Sequence, residues 1–294
     1  MLGEVLTASV TPFDSDGAVN LTKFRELAAF LVDNGSDGLV VTGSTGESAT
    51  LTDDERMELY SAAVDTVGDR ATVIAGTGTY DTRHSVHLTE QAHELGVDGF
   101  LVVTPYYNKP PPRGIVEHVK AIAAVTDKPI VFYNIPTRVV VKVDVETLAE
   151  LAKIPNVVAV KQAWDDLEDA RRIVAETGLQ LYAGDDNLIQ PFLELGAVGG
   201  ICVHTHVVGP QVKEQITVYR AGDVEGSRRI DQELAPAYEI LKVVVNPIAI
   251  KAALNLRGHE VGGLRLPLVE ATEEEKSRIR ACLERLGALQ PVSA

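Results

Sequence analysis

The chain has 294 residues, 45% of them hydrophobic, which is enough for one large domain or two small ones and for a sizeable core. Asp and Glu outnumber Lys and Arg by 42 to 27, a net charge of −15, and that balance excludes a nucleic-acid or anionic-membrane surface, both of which need basic patches. The two cysteines, Cys202 and Cys282, make neither a disulfide framework nor a zinc pattern; no apolar run approaches the roughly 20 residues of a membrane helix; and "MLGEVLTASV" lacks the regions of a signal peptide, so a reducing cytoplasm is expected.

Along the chain, short β-branched runs alternate with segments of helical spacing. "VLTASVTP" (5–12) precedes "LTKFRELAAFLVDNG" (21–35), where Phe24, Leu27, Ala28 and Leu31 share a face and Gly35 suits the C-terminal cap. "GLVVTG" (38–43) precedes "LTDDERMELYSAAVDTVG" (51–68), which opens on Thr52 with Glu55 three residues on, a capping-box pattern. "TVIAGTG" (72–78), a helix over 81–96, "GFLVVTP" (99–105), "PIVFYN" (129–134), "VVAVKQ" (157–162), a helix over 167–178, "LQLYAGD" (179–185) and "GGICV" (199–203) follow. The strand runs are continuously apolar rather than alternating, as parallel strands covered on both faces are. Eight such units predict a (β/α)8 TIM barrel, an architecture of about 250 residues, in preference to a doubly wound open sheet, because no dinucleotide fingerprint is present. Residues 1–207 make the barrel core. Helical segments near 210–221, 223–241, 245–257 and 273–287 make a C-terminal extension over 208–294, packed on the barrel.

In such a barrel the chemistry lies at the C-terminal ends of the strands. The residues that follow the runs are "GSTGES" (43–48), "TPYYNKPPP" (104–112), "FYNIPTR" (132–138), Lys161 and "AGDD" (183–186), all at one mouth. Lys161 ends a buried apolar run. Burial of an unpaired ammonium lowers its pKa, and a neutral amine attacks ketones to form Schiff bases; the alternative is a structural ion pair, and position alone does not separate the two. "GSTGES" has the glycines and hydroxyl residues of a turn that holds a carboxylate against free amides, and lacks the ending of a phosphate-binding P-loop; a plain turn is the alternative. Tyr106, Tyr107 and Tyr133 are packing phenols or proton carriers. Arg138 is a carboxylate grip or a surface ion pair. "HTH" (204–206) has no further ligand cluster at metal-binding spacing, and "GTGTYD" (76–81) does not complete a GxGxxG.

Assembled, these residues make a chain that resembles the dihydrodipicolinate synthase family of pyruvate-dependent class I aldolases, which also includes N-acetylneuraminate lyase. The resemblance runs from "ASVTPF" (8–13) through "GSTGESATL", "VVTPYYNKP", "FYNIPTR", "VKQA" and "AGDD" to "NPIAIKAAL" (246–254) and "LRLPL" (264–268). It implies that Lys161 forms the Schiff base with pyruvate and that Tyr133 moves protons. Ser44 would join Tyr133 to Tyr107 in a relay, Tyr107 reaching into the neighbouring subunit. Thr45 would hold the pyruvate carboxylate, Ile201 would contact pyruvate, Arg138 would bind the carboxylate of L-aspartate 4-semialdehyde, and Gly184 would present its carbonyl to the intermediate. The implied reaction needs no metal and no organic cofactor, and the implied assembly is a homo-oligomer, a dimer of dimers. The implied product is 4-hydroxy-tetrahydrodipicolinate, for lysine and diaminopimelate biosynthesis.

Position 44 is serine where the synthases usually carry threonine, and "GSTGE" is the form common in neuraminate lyases. Both tyrosines of "TPYYNKP", Arg138 after "NIPT", and "AGDD" favour the synthase. The rival readings are a lyase for N-acetylneuraminate or keto-deoxy sugar acids, and a catalytically silent barrel that binds a keto acid. Many family members are inhibited by lysine. Around the corresponding region this chain has Ser48, Ala49, Asp53, Arg56, Tyr80, His84 and Tyr106, without the asparagine and glutamate that the sensitive pattern has near Tyr80 and His84, so lysine inhibition is expected to be weak or absent. The turn Trp164-Asp165-Asp166 departs from the usual small, glycine-containing turn, and the sequence alone gives no reason for it.

Overall fold

The computed structural model describes residues 2–289. Its eight strands close into a parallel barrel in chain order. They are β1 (Val5–Ala8), β2 (Gly38–Val41), β3 (Thr72–Gly76), β4 (Gly99–Val103), β5 (Ile130–Asn134), β6 (Val157–Gln162), β7 (Gln180–Ala183) and β8 (Gly199–Cys202), each within the run that predicted it. The strands are buried along nearly their whole length, as unbroken apolarity requires of a sheet with side chains inside and helices outside. Successive side chains alternate between the two sides. Leu6, Ala8, Val40, Ile74, Leu101, Val131, Ala159 and Ile201 fill the barrel interior. Val5, Leu39, Val41, Val73, Phe100, Phe132 and Val160 face the helical layer.

The helices between the strands are α1 (Leu21–Asp33), α2 (Asp53–Val67), α3 (Thr82–Glu94), α4 (Pro112–Ala123), the short α5 (Pro136–Val139), α6 (Val145–Leu151), α7 (Leu167–Glu176) and α8 (Ile189–Glu194). Helix α1 buries Phe24, Leu27, Ala28 and Leu31, the face its spacing defines. Gly35 follows it at φ +96°, and a Cβ there would stand 2.8 Å from the carbonyl of Gly209, so both the left-handed turn and the close approach require glycine. The capping box of α2 is formed: Glu55 N donates to Thr52 Oγ1 and Thr52 N donates to Glu55 Oε2.

Helix α9 (Thr205–Arg220) starts earlier than its expected position near 210, so residue 207 lies inside it, next to a kink at Val208. Pro210 causes the kink, because it has no N–H for the carbonyl of His206. That carbonyl accepts from Arg257 Nη1 instead, at 2.9 Å. The run 223–241, expected as one helix, is two: α10 (Val224–Glu233) and α11 (Ala235–Leu241) break at Leu234, with Pro236 opening the second. Helices α12 (Ile248–Leu256) and α13 (Glu273–Arg285) complete the chain, and α13 carries its own capping box, Thr272 with Glu275. Among the described residues no helix is long and apolar enough to cross a membrane.

Candidate active site at the barrel mouth

The period of two along β6 decides where Lys161 points. Ala159 and Ala163 belong to the interior cluster, and Lys161 lies in phase with them, so its stem rises inside the barrel toward the mouth. Register places it beside Tyr133 of β5 on one side and Tyr182 of β7 on the other. Lys161 is 4% exposed, and its Nζ lies 4.2 Å from the centre of the Tyr133 ring. Burial brings its pKa down to about 8; Cys202, Asp186 and Asp185 act through space in the opposite direction and do not outweigh it. Burial also holds the Tyr133 phenol well above its ordinary range, and so neutral.

Ser44, Thr45, Tyr133, Arg138, Lys161 and Gly184 line one cavity of about 180 Å³. That is below the roughly 300–1,000 Å³ of a drug-sized site and suits a small acid. The turn after β2 folds on itself: Gly46 N and Ser48 N donate to Gly43 O, and Glu47 N donates to Ser44 O. Among the described residues the amides of Ser44 and Thr45 donate to no backbone carbonyl, so they are available to an anion. Glu47 anchors the turn from below, in the left-handed region at φ +56°. Its Oε1 accepts from the fully buried Lys251 of α12 at 2.9 Å, and its Oε2 accepts from Arg265 N at 3.0 Å. Lys251 Nζ also donates to the carbonyls of Thr11 and Gly263.

Arg138 stands at the rim, exposed, with Nη2 donating to Asn246 O at 3.0 Å. Gly184 is required where it is: a Cβ there would meet the Ala163 Cβ and backbone N at 2.8 Å, so a side chain would part the ends of β6 and β7. Ile201 lies wholly buried in the barrel interior on β8, and does not line the cavity. Tyr107 is not brought into the cavity of its own chain. It is 92% exposed on the loop after β4, at φ +67°. Its neighbour Tyr106 packs edge-on against Tyr80 at 5.3 Å.

Three residues of the cavity region were given no individual role by the sequence, although Asn246 stands in "NPIAIKAAL" and Asp186 in "AGDD". Asn246 lines the cavity from the helical extension, donates through Nδ2 to Thr45 Oγ1 at 2.9 Å, and keeps its Oδ1 buried without a partner. Asp186, which also lines the cavity, accepts through Oδ1 from the amides of Val203 (2.7 Å) and His204 (2.6 Å), and His204 Nδ1 lies 2.5 Å from the same oxygen. Cys202 shares this buried neighbourhood. With that oxygen taken by two amides and in close contact with the imidazole, the cluster is held together within the chain. The turn 164–166 also gains a reason: Asp166 caps α7 by accepting from the amides of Glu168 and Asp169. Lys142 pairs with Asp166 and Asp169 and lies 5.9 Å from the centre of the Trp164 ring.

A second cavity, of about 320 Å³, adjoins the first and shares Ser44, Arg138 and Asn246 with it; Ser48, Ala49, Arg56 and Tyr106 also line it. Beside it His84 Nε2 contacts Asp53 at 2.9 Å.

Fold and site together define a (β/α)8 barrel with a buried amine at its mouth. The chain belongs to the dihydrodipicolinate synthetase family, whose family model matches residues 1–286. A 4-hydroxy-tetrahydrodipicolinate synthase of Moorella thermoacetica is 47% identical over 289 residues, covering 98% of this chain and 99% of the relative. Among solved structures, dihydrodipicolinate synthase from Bacillus anthracis superposes with a TM-score of 0.94 at 40% identity, covering 97% of this chain and 98% of that one. The enzyme from Cyanidioschyzon merolae with lysine bound gives 0.96 at 41% identity, covering 98% and 99%.

Proposed function

We propose that the chain condenses pyruvate with L-aspartate 4-semialdehyde, through an imine on Lys161, to give 4-hydroxy-tetrahydrodipicolinate. The observation that carries this reading is the buried Lys161 beside Tyr133 in a small cavity whose wall offers the Thr45 amide and hydroxyl. The neutral amine attacks the ketone carbon of pyruvate; the carbinolamine loses water and leaves a cationic imine. That cation draws electrons from the adjacent methyl group, which gives up a proton and becomes an enamine. The enamine carbon bonds to the aldehyde carbon of the second substrate, whose oxygen takes a proton. The amine of the adduct then displaces Lys161 and closes the ring.

Thr45 and the free amides of its turn hold the pyruvate carboxylate. Tyr133, kept neutral by burial, enters as a proton donor and recovers its proton through Ser44 and the Tyr107 of a neighbouring subunit. Arg138, at the rim, meets the carboxylate of the incoming aldehyde. Gly184 presents its carbonyl to the intermediate; Ile201, buried below the cavity and not lining it, is left without the pyruvate contact expected of it.

The test is a turnover assay with both substrates and mass detection of the cyclic product. Product formation supports the reading and makes Ser44 a tolerated replacement for threonine. Absence of product while borohydride still fixes pyruvate to Lys161 would overturn the second substrate and turn the search to sugar-derived aldehydes. Absence of both would leave a keto-acid-binding barrel without catalysis.

A further inference from the structure

Imine formation places a fixed positive charge inside the barrel, where water cannot solvate it, and the cavity wall has to answer that charge. Tyr133 of β5, Arg138 of α5, and Asp185 and Asp186 at the end of β7 line one cavity with Lys161, and Cys202 of β8 also acts on it through space. Two of these are adjacent carboxylates, and the structure treats them differently. Asp185 lines the cavity without capping the turn it precedes. Asp186 is held by the amides of Val203 and His204 and by the His204 ring. His204 is itself buried: its ring lies 5.4 Å from Tyr238 of α11, and among the described residues neither ring nitrogen has a well-formed hydrogen bond, Nδ1 standing in close contact with Asp186 Oδ1. The other titratable groups near it are His206 on α9 and Asp231 on α10, whose Oδ1 accepts from Tyr238. A buried imidazole set against a single carboxylate, with neither ring nitrogen in a well-formed hydrogen bond, calls for a reason beyond packing.

We propose that the Asp186–His204 pair is the built-in counter-charge for the imine at Lys161, Asp186 supplying the negative charge at the cavity wall and His204 acting as the positioning residue that keeps the carboxylate there. The inference rests on the Lys161 reading above. Its electrostatics are consistent along the chain of contacts. Burial pushes Asp186 up, but His204 and the two amides outweigh it and hold the carboxyl below its ordinary range, so it stays ionised. Burial and the charge of Asp186 push Asp185 up. Of two neighbouring carboxylates, the anchored one is thus the lasting charge, and the pairing of one fixed anion with one shifted acid is how adjacent carboxyl groups divide roles.

The experiment compares the wild-type chain with Asp186→Asn, which keeps the acceptor for both amides, and with His204→Gln. Two quantities are read: the pH dependence of cyanoborohydride trapping of pyruvate, and the exchange of pyruvate methyl protons in deuterated water without a second substrate. In Asp186→Asn, loss of the negative charge moves the acid limb of trapping to lower pH, because the amine becomes less basic. Methyl exchange slows about tenfold, the effect of one pK unit. His204→Gln moves both in the same direction by less, and decides alone if Asp186→Asn does not fold. A limb that stays in place, whether exchange is unchanged or merely reduced, overturns the proposal, since a purely structural pair would lower activity without moving it. A wild-type chain that traps no pyruvate overturns this inference together with the Lys161 reading; a wild-type chain that traps and exchanges beside unmoved variants overturns this inference alone.

Discussion

At the scale of single residues, the question is what an ammonium loses by lying at the end of β6. With a pKa of about 8 against the ordinary 10.5, Lys161 binds its proton less tightly in the fold than in the unfolded chain. Two consequences share that origin. Initial trapping of pyruvate by borohydride, which needs the neutral amine, falls about tenfold per pH unit below pH 8 and disappears in Lys161→Ala; labelling at another lysine would overturn the assignment. The unfolded state binds more protons between about pH 8 and 10.5, so this group's contribution to stability rises with pH across that window and is a cost below it. Lys161→Met is therefore expected to raise the unfolding free energy at pH 7 by about 3 kcal/mol, read as a higher denaturant midpoint, while abolishing trapping. Equal midpoints would mean that the amine is better solvated than its burial indicates.

At the scale of elements, the turn after β2 is held less by its own residues than by α12. Glu47 and Lys251 form a buried pair across the barrel mouth. Removing one partner strands the other charge, so Lys251→Ala is expected to destabilise the fold by about 3–5 kcal/mol in urea unfolding, and the double variant Lys251→Met with Glu47→Gln to recover most of the loss. Loss below about 1 kcal/mol in the single variant would place the pair with ordinary surface bridges.

The same comparison marks how far the sequence could be read. Strand runs, the α1 face, the α2 capping box and the position of Lys161 were legible, because each is a local pattern of period two, period 3.6 or cap chemistry. Lys251 was not: inside "IAIKAAL" it reads as one polar residue on a helix, and only the approach of the 43–48 turn explains its burial. The Asp186–His204 pair was equally silent, since its members stand on different strand ends with no repeating interval between them. Asn246 lies in a helical extension whose packing over the mouth leaves no mark on its own spacing. The single helix read over 223–241 failed at Pro236, a signal that was present and was outweighed by periodicity.

At the scale of the whole molecule, an exposed Tyr107 in a left-handed backbone conformation has little use in an isolated chain. We propose that the active unit is at least a dimer in which this phenol completes the neighbour's relay. Sedimentation of the active enzyme should give no fully active monomer, and Tyr107→Ala should lower kcat without abolishing trapping of pyruvate. Lysine is a separate matter. Arg56 lines the second cavity, and among the described residues its Nε and Nη1 are buried without partners; Glu47, which also lines it, is paired with Lys251 and accepts from Arg265 N, and Asp53 is engaged with His84. A cationic ligand finds no free carboxylate there, so inhibition by lysine is expected to be weak or absent; inhibition at sub-millimolar lysine would refute this.

Closure of the barrel joins the first strand to the last, Val5 beside Gly200 and Thr7 beside Cys202, and a Cβ on Gly199 would fall 1.9 Å from Glu4 O. Position 199 on the seam therefore admits only glycine, and the seam forms only once nearly all of the barrel's sequence exists. During synthesis, β1 waits without its second neighbour while strands two to seven emerge from the ribosome, its Leu6 and Ala8 facing a cavity that has no far wall. A nascent chain stopped before residue 199 would carry Lys161, Tyr133 and the 43–48 turn, yet hold an open, sticky sheet. Protease resistance in ribosome-stalled chains of increasing length should accordingly appear late and in one step, after β8 has cleared the exit tunnel.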